Sequence, residues 1–178
     1  MTGRSQTGYD IATGTYDQAR AMVGHKTEVR CGEIEVNRAM VKQFAALVHD
    51  SSAGYWDREF AEDWWGGTVS PPAMLMTWLM PLEWTPEGAL PLPLLTARVP
   101  LPGDTFVNAS NETEYFLPIH VGDRLNVVEE LVDVSEEKRT GLGVGHFVTT
   151  KGTFRRQDGA VVAEMTNVLF RFTSPEGP

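Results

Sequence analysis

Between residues 38 and 49 the apolar side chains Met40, Val41, Phe44, Leu47 and Val48 recur every three or four positions. That spacing predicts an amphipathic helix with one inward stripe, and Asn37 just ahead of it is a good N-cap. A different pattern follows the flexible pair Gly66-Gly67. Pro71-Pro72-Ala73-Met74-Leu75-Met76-Thr77-Trp78-Leu79-Met80 is apolar nearly all round, interrupted only by Thr77. A helix without a polar face belongs in a core or a membrane, and this one is far shorter than the roughly 20 residues that span a bilayer. It is expected at the centre of the fold and enclosed on every side. Two prolines fix its start and Pro81 its end.

The last third of the chain alternates. Residues 106–116 read as extended. Residues 125–134 alternate loosely, with a phase change at Val127-Val128 that predicts a bulge. Leu142, Val144, His146, Val148, Thr150, Gly152 and Phe154 form one long strand, and Val162, Glu164, Thr166, Val168, Phe170 and Phe172 another. Asp158-Gly159 between them is a hairpin signal. Smaller elements are a short helix over 16–23, an extended piece over 33–36 and one or two turns over 57–65. The Pro-rich stretch 81–102 reads as an irregular crossing long enough to line something or touch a partner. One buried helix followed by three or four long antiparallel strands makes an α+β domain, a curved sheet wrapped around the helix. Its expected extent is 26–174, after a polar N-terminal extension (1–25) and before a tail (175–178). No repeat of fixed period is present.

At 178 residues the chain suits a single domain with a core of its own. Its net charge of −9 and scattered basic residues argue against a nucleic-acid partner. An anionic ligand would need a local basic pocket, here or on another chain. The lone Cys31 allows no internal disulfide and no multi-cysteine metal site, and it fits a reducing cytoplasm. No signal peptide or membrane span is expected. The four histidines are too far apart in sequence to suggest a metal. Of these, His146 should be a satisfied core residue, while His49 and His120 should lie at the surface. Glu129-Glu130 and Glu136-Glu137 should face solvent. The glycines of 141–145 open a strand, not a helix, so a dinucleotide site is excluded. Relief of crowding between backbones explains them better.

One constellation carries chemistry. His49-Asp50-Ser51-Ser52-Ala53-Gly54-Tyr55-Trp56-Asp57 leads through Trp65-Gly66-Gly67 to Ser70-Pro71-Pro72-Ala73-Met74. Further on come 115–124 (Tyr115 to Arg124), 138–143 and Val148-Thr149-Thr150. In this order and spacing the chain resembles the MaoC-like hydratases and dehydratases of the hot-dog fold, over about 33–172. The likeness is closest to the N-terminal, fatty-acid-synthase-like dehydratase half found in two-subunit enoyl-CoA hydratases.

The resemblance implies an Asp and, five residues on, a His that together hold the water added across an enoyl thioester and move its protons. It also implies a backbone N–H at the start of the central helix that steadies the thioester oxyanion. This chain keeps Asp50, has Tyr55 in place of the His, and puts Pro71 and Pro72 at the His-Gly positions of the helix start. Proline has no N–H to donate, and a phenol with a pKa of about 10 is a poor base at neutral pH. Asp50, Tyr55 and Pro72 are thus degenerate positions, and no catalytic residue is expected here. The implied role is the acyl-tail-binding half of a heteromeric (R)-specific enoyl-CoA hydratase or 3-hydroxyacyl dehydratase. Its partner would be a second hot-dog subunit carrying the Asp and His. Long or bulky acyl-CoA substrates fit such a half, steroid side-chain thioesters among them, with coenzyme A entering only as part of the substrate and no separate cofactor or metal. Candidates to line the acyl space are Tyr55, Trp56, Trp65, Met74, Met76 and Trp78, and core packing is the alternative role for each. Competing readings are a hot-dog thioesterase with Asp50 or Glu62 activating water, a non-enzymatic binder of apolar ligands, and an isomerase-like cone using Tyr55 and Asp50.

Overall fold

The computed structural model describes residues 11–82, 84, 86 and 94–173. The polar opening 1–10, most of the Pro-rich crossing from 83 to 93 and the tail from 174 lie outside the described residues. Short helices come first: α1 (Tyr16–Ala21), α2 (Arg38–Leu47), α3 (Ala53–Trp56) and α4 (Arg58–Trp65). The central 3₁₀ helix is Pro72–Leu79, and α5 (Leu95–Arg98) is one helical turn within the Pro-rich stretch 81–102. The strands are β1 (Arg30–Cys31), β2 (Thr105–Tyr115), β3 (Asn126–Val134), β4 (Lys138–Thr140), β5 (Gly143–Arg155) and β6 (Val161–Thr173). They form one antiparallel sheet in the order β1-β3-β5-β6-β2, with β4 alongside β5. Gly159, at φ +86, closes the β5–β6 hairpin at the expected Asp158-Gly159. Residues 33–36 are not a strand, although Val36 exchanges hydrogen bonds with Gly122 and Asp123 at 2.8 and 2.9 Å.

Two apolar clusters fill the space between helices and sheet. The first joins Val36 and Val41 to Met74, Leu75, Trp78 and Leu79 of the central helix and to Val127, Phe154 and Val162 of the sheet. The second packs Ala19 of α1 and Leu95 of α5 with Val99 and Leu101 against Leu131, Val134 and Val148. The central helix departs from full enclosure. Met74, Leu75, Trp78 and Leu79 are buried, whereas Pro72, Ala73, Met76 and Met80 are exposed. A single sheet covers one side of a helix, and among the described residues no second layer covers the other.

The bulge lies at Val132, between Leu131 and Asp133, not at Val127-Val128. The extra residue turns both Leu131 and Val134 inward to the second cluster and leaves Asp133 outside, 2.5 Å from Arg20. Gly145 relieves crowding as its strand context suggested, since a Cβ there would collide with the Arg171 carbonyl. Gly141 has open space around it. His146 is buried, stacks on Tyr16 with centroids 5.3 Å apart, and bonds the Ser135 carbonyl at 2.9 Å.

Arg171 on β6 is 2% exposed and makes five hydrogen bonds to four carbonyls. The acceptors are Ala12, Val99, Leu101 and Gly103, at 2.6–3.1 Å. Burial lowers its pKa to about 10, and the carbonyl shell holds it protonated at neutral pH.

Glu129 is half-buried, not fully solvent-facing. It alternates with Val127 and Leu131, one in each core cluster, so the strand's period of two aims its side chain between them. Burial raises its carboxyl pKa, and the charges of Arg30 and Arg98 offset this only in part. A carboxylate raised in the fold destabilises it progressively as pH climbs through the ordinary Glu range to the raised value. Glu129→Gln should therefore raise the melting temperature at neutral pH and much less in mild acid. Scanning calorimetry at the two pH values checks this, and an equal change at both would remove the assignment.

Candidate functional site

The site is built from the end of α2 forward. Asn37 caps the helix by accepting the Met40 N–H at 3.0 Å. The far end closes with a Schellman pattern: Asp50 N–H bonds the Ala45 carbonyl at 2.8 Å and His49 N–H the Ala46 carbonyl at 3.3 Å. This demands a left-handed residue, and His49 supplies it at φ +58, where glycine is usual. Gly66, at φ +72, plays the same part at the end of α4. The strained corner at His49 turns Asp50 back over α3. Its carboxylate accepts the Ser52 N–H at 2.9 Å, and its carbonyl accepts Trp56 Nε1–H at 2.7 Å.

Beyond Ser52 lies a cavity of about 330 Å³. It is lined by Tyr55 and Trp65, by Val69, Ser70 and Pro72 at the entry to the central helix, and by Tyr115 to Ile119. Its lining is mainly apolar and includes phenol and hydroxyl groups, the composition of a site for an apolar chain with one polar end. Tyr55 has its pKa raised, by burial first and then by the nearby Asp50 charge. That phenol is further from acting as a base than a free one. Tyr115 donates its hydroxyl to the Pro72 carbonyl at 2.8 Å, and burial raises its pKa too.

Pro71 and Pro72 open the central helix against this cavity, and neither has an N–H. The helix start therefore presents the cavity with a carbonyl already engaged by Tyr115 and no amide donor from these two residues. Ser70 is buried and accepts Trp78 Nε1–H at 2.9 Å, which pins the helix to its own entry.

Of the candidate residues, the structure brings Tyr55, Trp65 and Pro72 to one cavity and sets Asp50 behind Ser52. Met74 and Trp78 lie in the first core cluster. Met76 is partly exposed on the open side of the helix. Trp56 lies outside the cavity, under Lys42, whose ammonium is 5.5 Å from the ring centroid. Glu62 lines a separate cavity with Arg38 and Arg58, so it shares no water site with Tyr55. His120 bonds the Trp65 carbonyl at 2.7 Å. The role of Tyr115 was not read from the sequence. Its place at the head of Phe116-Leu117-Pro118-Ile119 was the available signal.

A sheet curved around a central helix, with a cavity at the helix start, defines the hot-dog class. A family profile described as FAS1-like, dehydratase domain region, matches residues 21–165, and the chain belongs to that family. A probable enoyl-CoA hydratase alpha subunit of Thermomonospora curvata is 35% identical over 152 residues, covering 82% of this chain and 47% of its own length. The chain thus spans about half of that curated relative. Among solved structures, a chain of the ChsH1-ChsH2 complex of Mycobacterium tuberculosis is similar at TM-score 0.71 and 24% identity, with 91% of each chain covered. A MaoC-like dehydratase of Rhodospirillum rubrum is similar at TM-score 0.58 and 23% identity, with 86% of this chain and 94% of that one covered.

Proposed function

We propose that this chain is the non-catalytic, acyl-accommodating half of a heteromeric enoyl-CoA hydratase or 3-hydroxyacyl dehydratase of (R) specificity. The observation that carries the reading is the opening of the central helix by Pro71 and Pro72 at a cavity whose facing side chain is Tyr55. Oxyanion donor and imidazole are both missing where the family's chemistry needs them. What remains is a mainly apolar space suited to the tail of a long or bulky acyl group, a steroid side chain included.

Two surfaces support a partner. β2 ends the sheet and is exposed along most of its eleven residues, an edge of the kind that another strand completes. The open side of the central helix adds Met76 and Met80, and the Tyr115–Pro72 hydrogen bond joins that side to Phe116 and Leu117, also exposed. An apolar surface of this sort marks an interaction site. The likeness to an alpha subunit and to a two-protein complex points the same way.

The reading is tested by assaying hydration of long-chain enoyl-CoA by the purified chain, alone and after co-expression with a hot-dog subunit bearing Asp and His. The pair should turn over at least ~10²–10³ times faster, the cost of one lost oxyanion donor. Comparable rates for the chain alone would end the proposal. Release of free coenzyme A would point to thioester hydrolysis instead.

A further inference from the structure

A second cavity, of about 280 Å³, lies between the starts of α2 and α4 and is lined by Arg38, Arg58, Glu62, Thr68 and Val121. Its two arginines, like several others among the described residues, pair with no carboxylate. Arg20 and Arg156 reach carboxylates at 2.5 and 2.9 Å, and Arg171 is saturated by carbonyls. Arg38 makes one long hydrogen bond, 3.4 Å to the Trp56 carbonyl, while its Nε is buried with no acceptor. Neither Arg38 nor Arg58 has a carboxylate within ion-pair distance among the described residues, although Glu62 shares the cavity. A buried guanidinium N–H without an acceptor is costly unless a ligand supplies one. In a chain of net charge −9, the orphaned Arg38 Nε and the exposed Arg58 guanidinium line one cavity and are set for an oxyanion that can be gripped in bidentate fashion.

We propose that this cavity binds a phosphate-type oxyanion, a phosphomonoester or diphosphate, with Arg38 and Arg58 as its anchors and Thr68 adding a hydroxyl donor. Glu62 reduces the wall's net charge to about +1 and so limits affinity for the free anion. The cavity shares a partition with the acyl site: Thr68 and Val121 line it, while their neighbours Val69, Ser70 and Ile119 line the other. Two backbone bonds hold the partition together, Val121 N–H to the Thr68 carbonyl at 2.9 Å and Ser70 N–H to the Ile119 carbonyl at 2.7 Å. A ligand with an apolar end and a phosphorylated end can therefore engage both sides of one thin wall. This link between the sites rests on the acyl-thioester reading above. The anion site itself does not.

The test is calorimetric titration of the full chain with pyrophosphate at low salt. Arg58→Ala and Arg38→Ala should each weaken binding at least tenfold, and Glu62→Gln should strengthen it severalfold. Arg58 is exposed, so its variant keeps the test valid should Arg38→Ala misfold. Absence of binding, or binding that ignores Arg58→Ala and Glu62→Gln, overturns the proposal. Displacement of pyrophosphate by coenzyme A identifies the substrate's carrier as the source of the group. Pyrophosphate that binds but is not displaced identifies a free phosphate ligand and overturns the link to the acyl site. Neither arm uses the partner or turnover. Loss of pyrophosphate binding would leave the hydratase reading standing, and an inactive pair would leave this site standing.

Discussion

Arg171→Leu should lower the stability of the chain by ~3–5 kcal/mol, the range seen when a buried charge-bearing network loses one member. Leucine fills part of the volume but offers no donor, and the carbonyls of Ala12, Val99, Leu101 and Gly103 lose the guanidinium that joins them. Those carbonyls come from two segments far apart in sequence, Ala12 and 99–103, so no local rearrangement can satisfy them all. Arg171→Lys should recover only part of the loss, because one ammonium cannot span the fork's geometry. Urea unfolding measures both, and melting should fall by roughly 10 °C for the leucine variant. A loss below about 1 kcal/mol would mean that water replaces the arginine at little cost, and its structural role would be withdrawn.

The second large effect is a gain. If the chain is silent because it lacks an imidazole and an oxyanion donor, restoring one alone should achieve little. Tyr55→His supplies a proton carrier but leaves Pro72 without an N–H, and Pro72→Gly supplies the amide beside a phenol whose pKa is already raised. Each missing part is worth roughly 10²–10³ or more in rate. Both singles should stay near background in an enoyl-CoA hydration assay, while Tyr55→His/Pro72→Gly should rise at least ~10²-fold above either. The glycine loosens the helix start at a cost of about 0.4–1 kcal/mol, small beside that gain. A double variant as silent as the singles would show that the inactivity has another cause.

Much of the architecture was legible because it follows from repeating patterns. The stripe of Met40, Val41, Phe44, Leu47 and Val48 predicts α2, though Leu47 and Val48 at its end are exposed and only the first part of the stripe faces inward; the alternation from Leu142 to Phe154 predicts β5, and Asp158-Gly159 the hairpin. The misreadings have physical causes. The charge of Glu129 predicts a surface position, while its phase with Val127 and Leu131 turns it toward the core. The bulge could not be located, because only the positions of Leu131 and Val134 in the second cluster decide it. Enclosure of the central helix was inferred from its composition, which cannot distinguish cover by its own sheet from cover by another chain. In the site, Asp50, Tyr55 and Pro72 stand in one sequence constellation; Tyr55 and Pro72 line one cavity, and Asp50 lies behind Ser52. Tyr115 reaches Pro72 across 43 positions, and the arginine pair lines one cavity from two different helices. Such proximities leave no local signature in the sequence.

The bare flank of β2 also bears on how the protein must be made. Long unpaired edges invite copies to stick to one another, so surplus chains synthesised without a companion should accumulate in inclusion bodies or be degraded. Under the proposed pairing, matched output of the two subunits becomes a condition for obtaining either product intact, and a vector expressing both should yield clear lysate where a single-gene vector yields sediment.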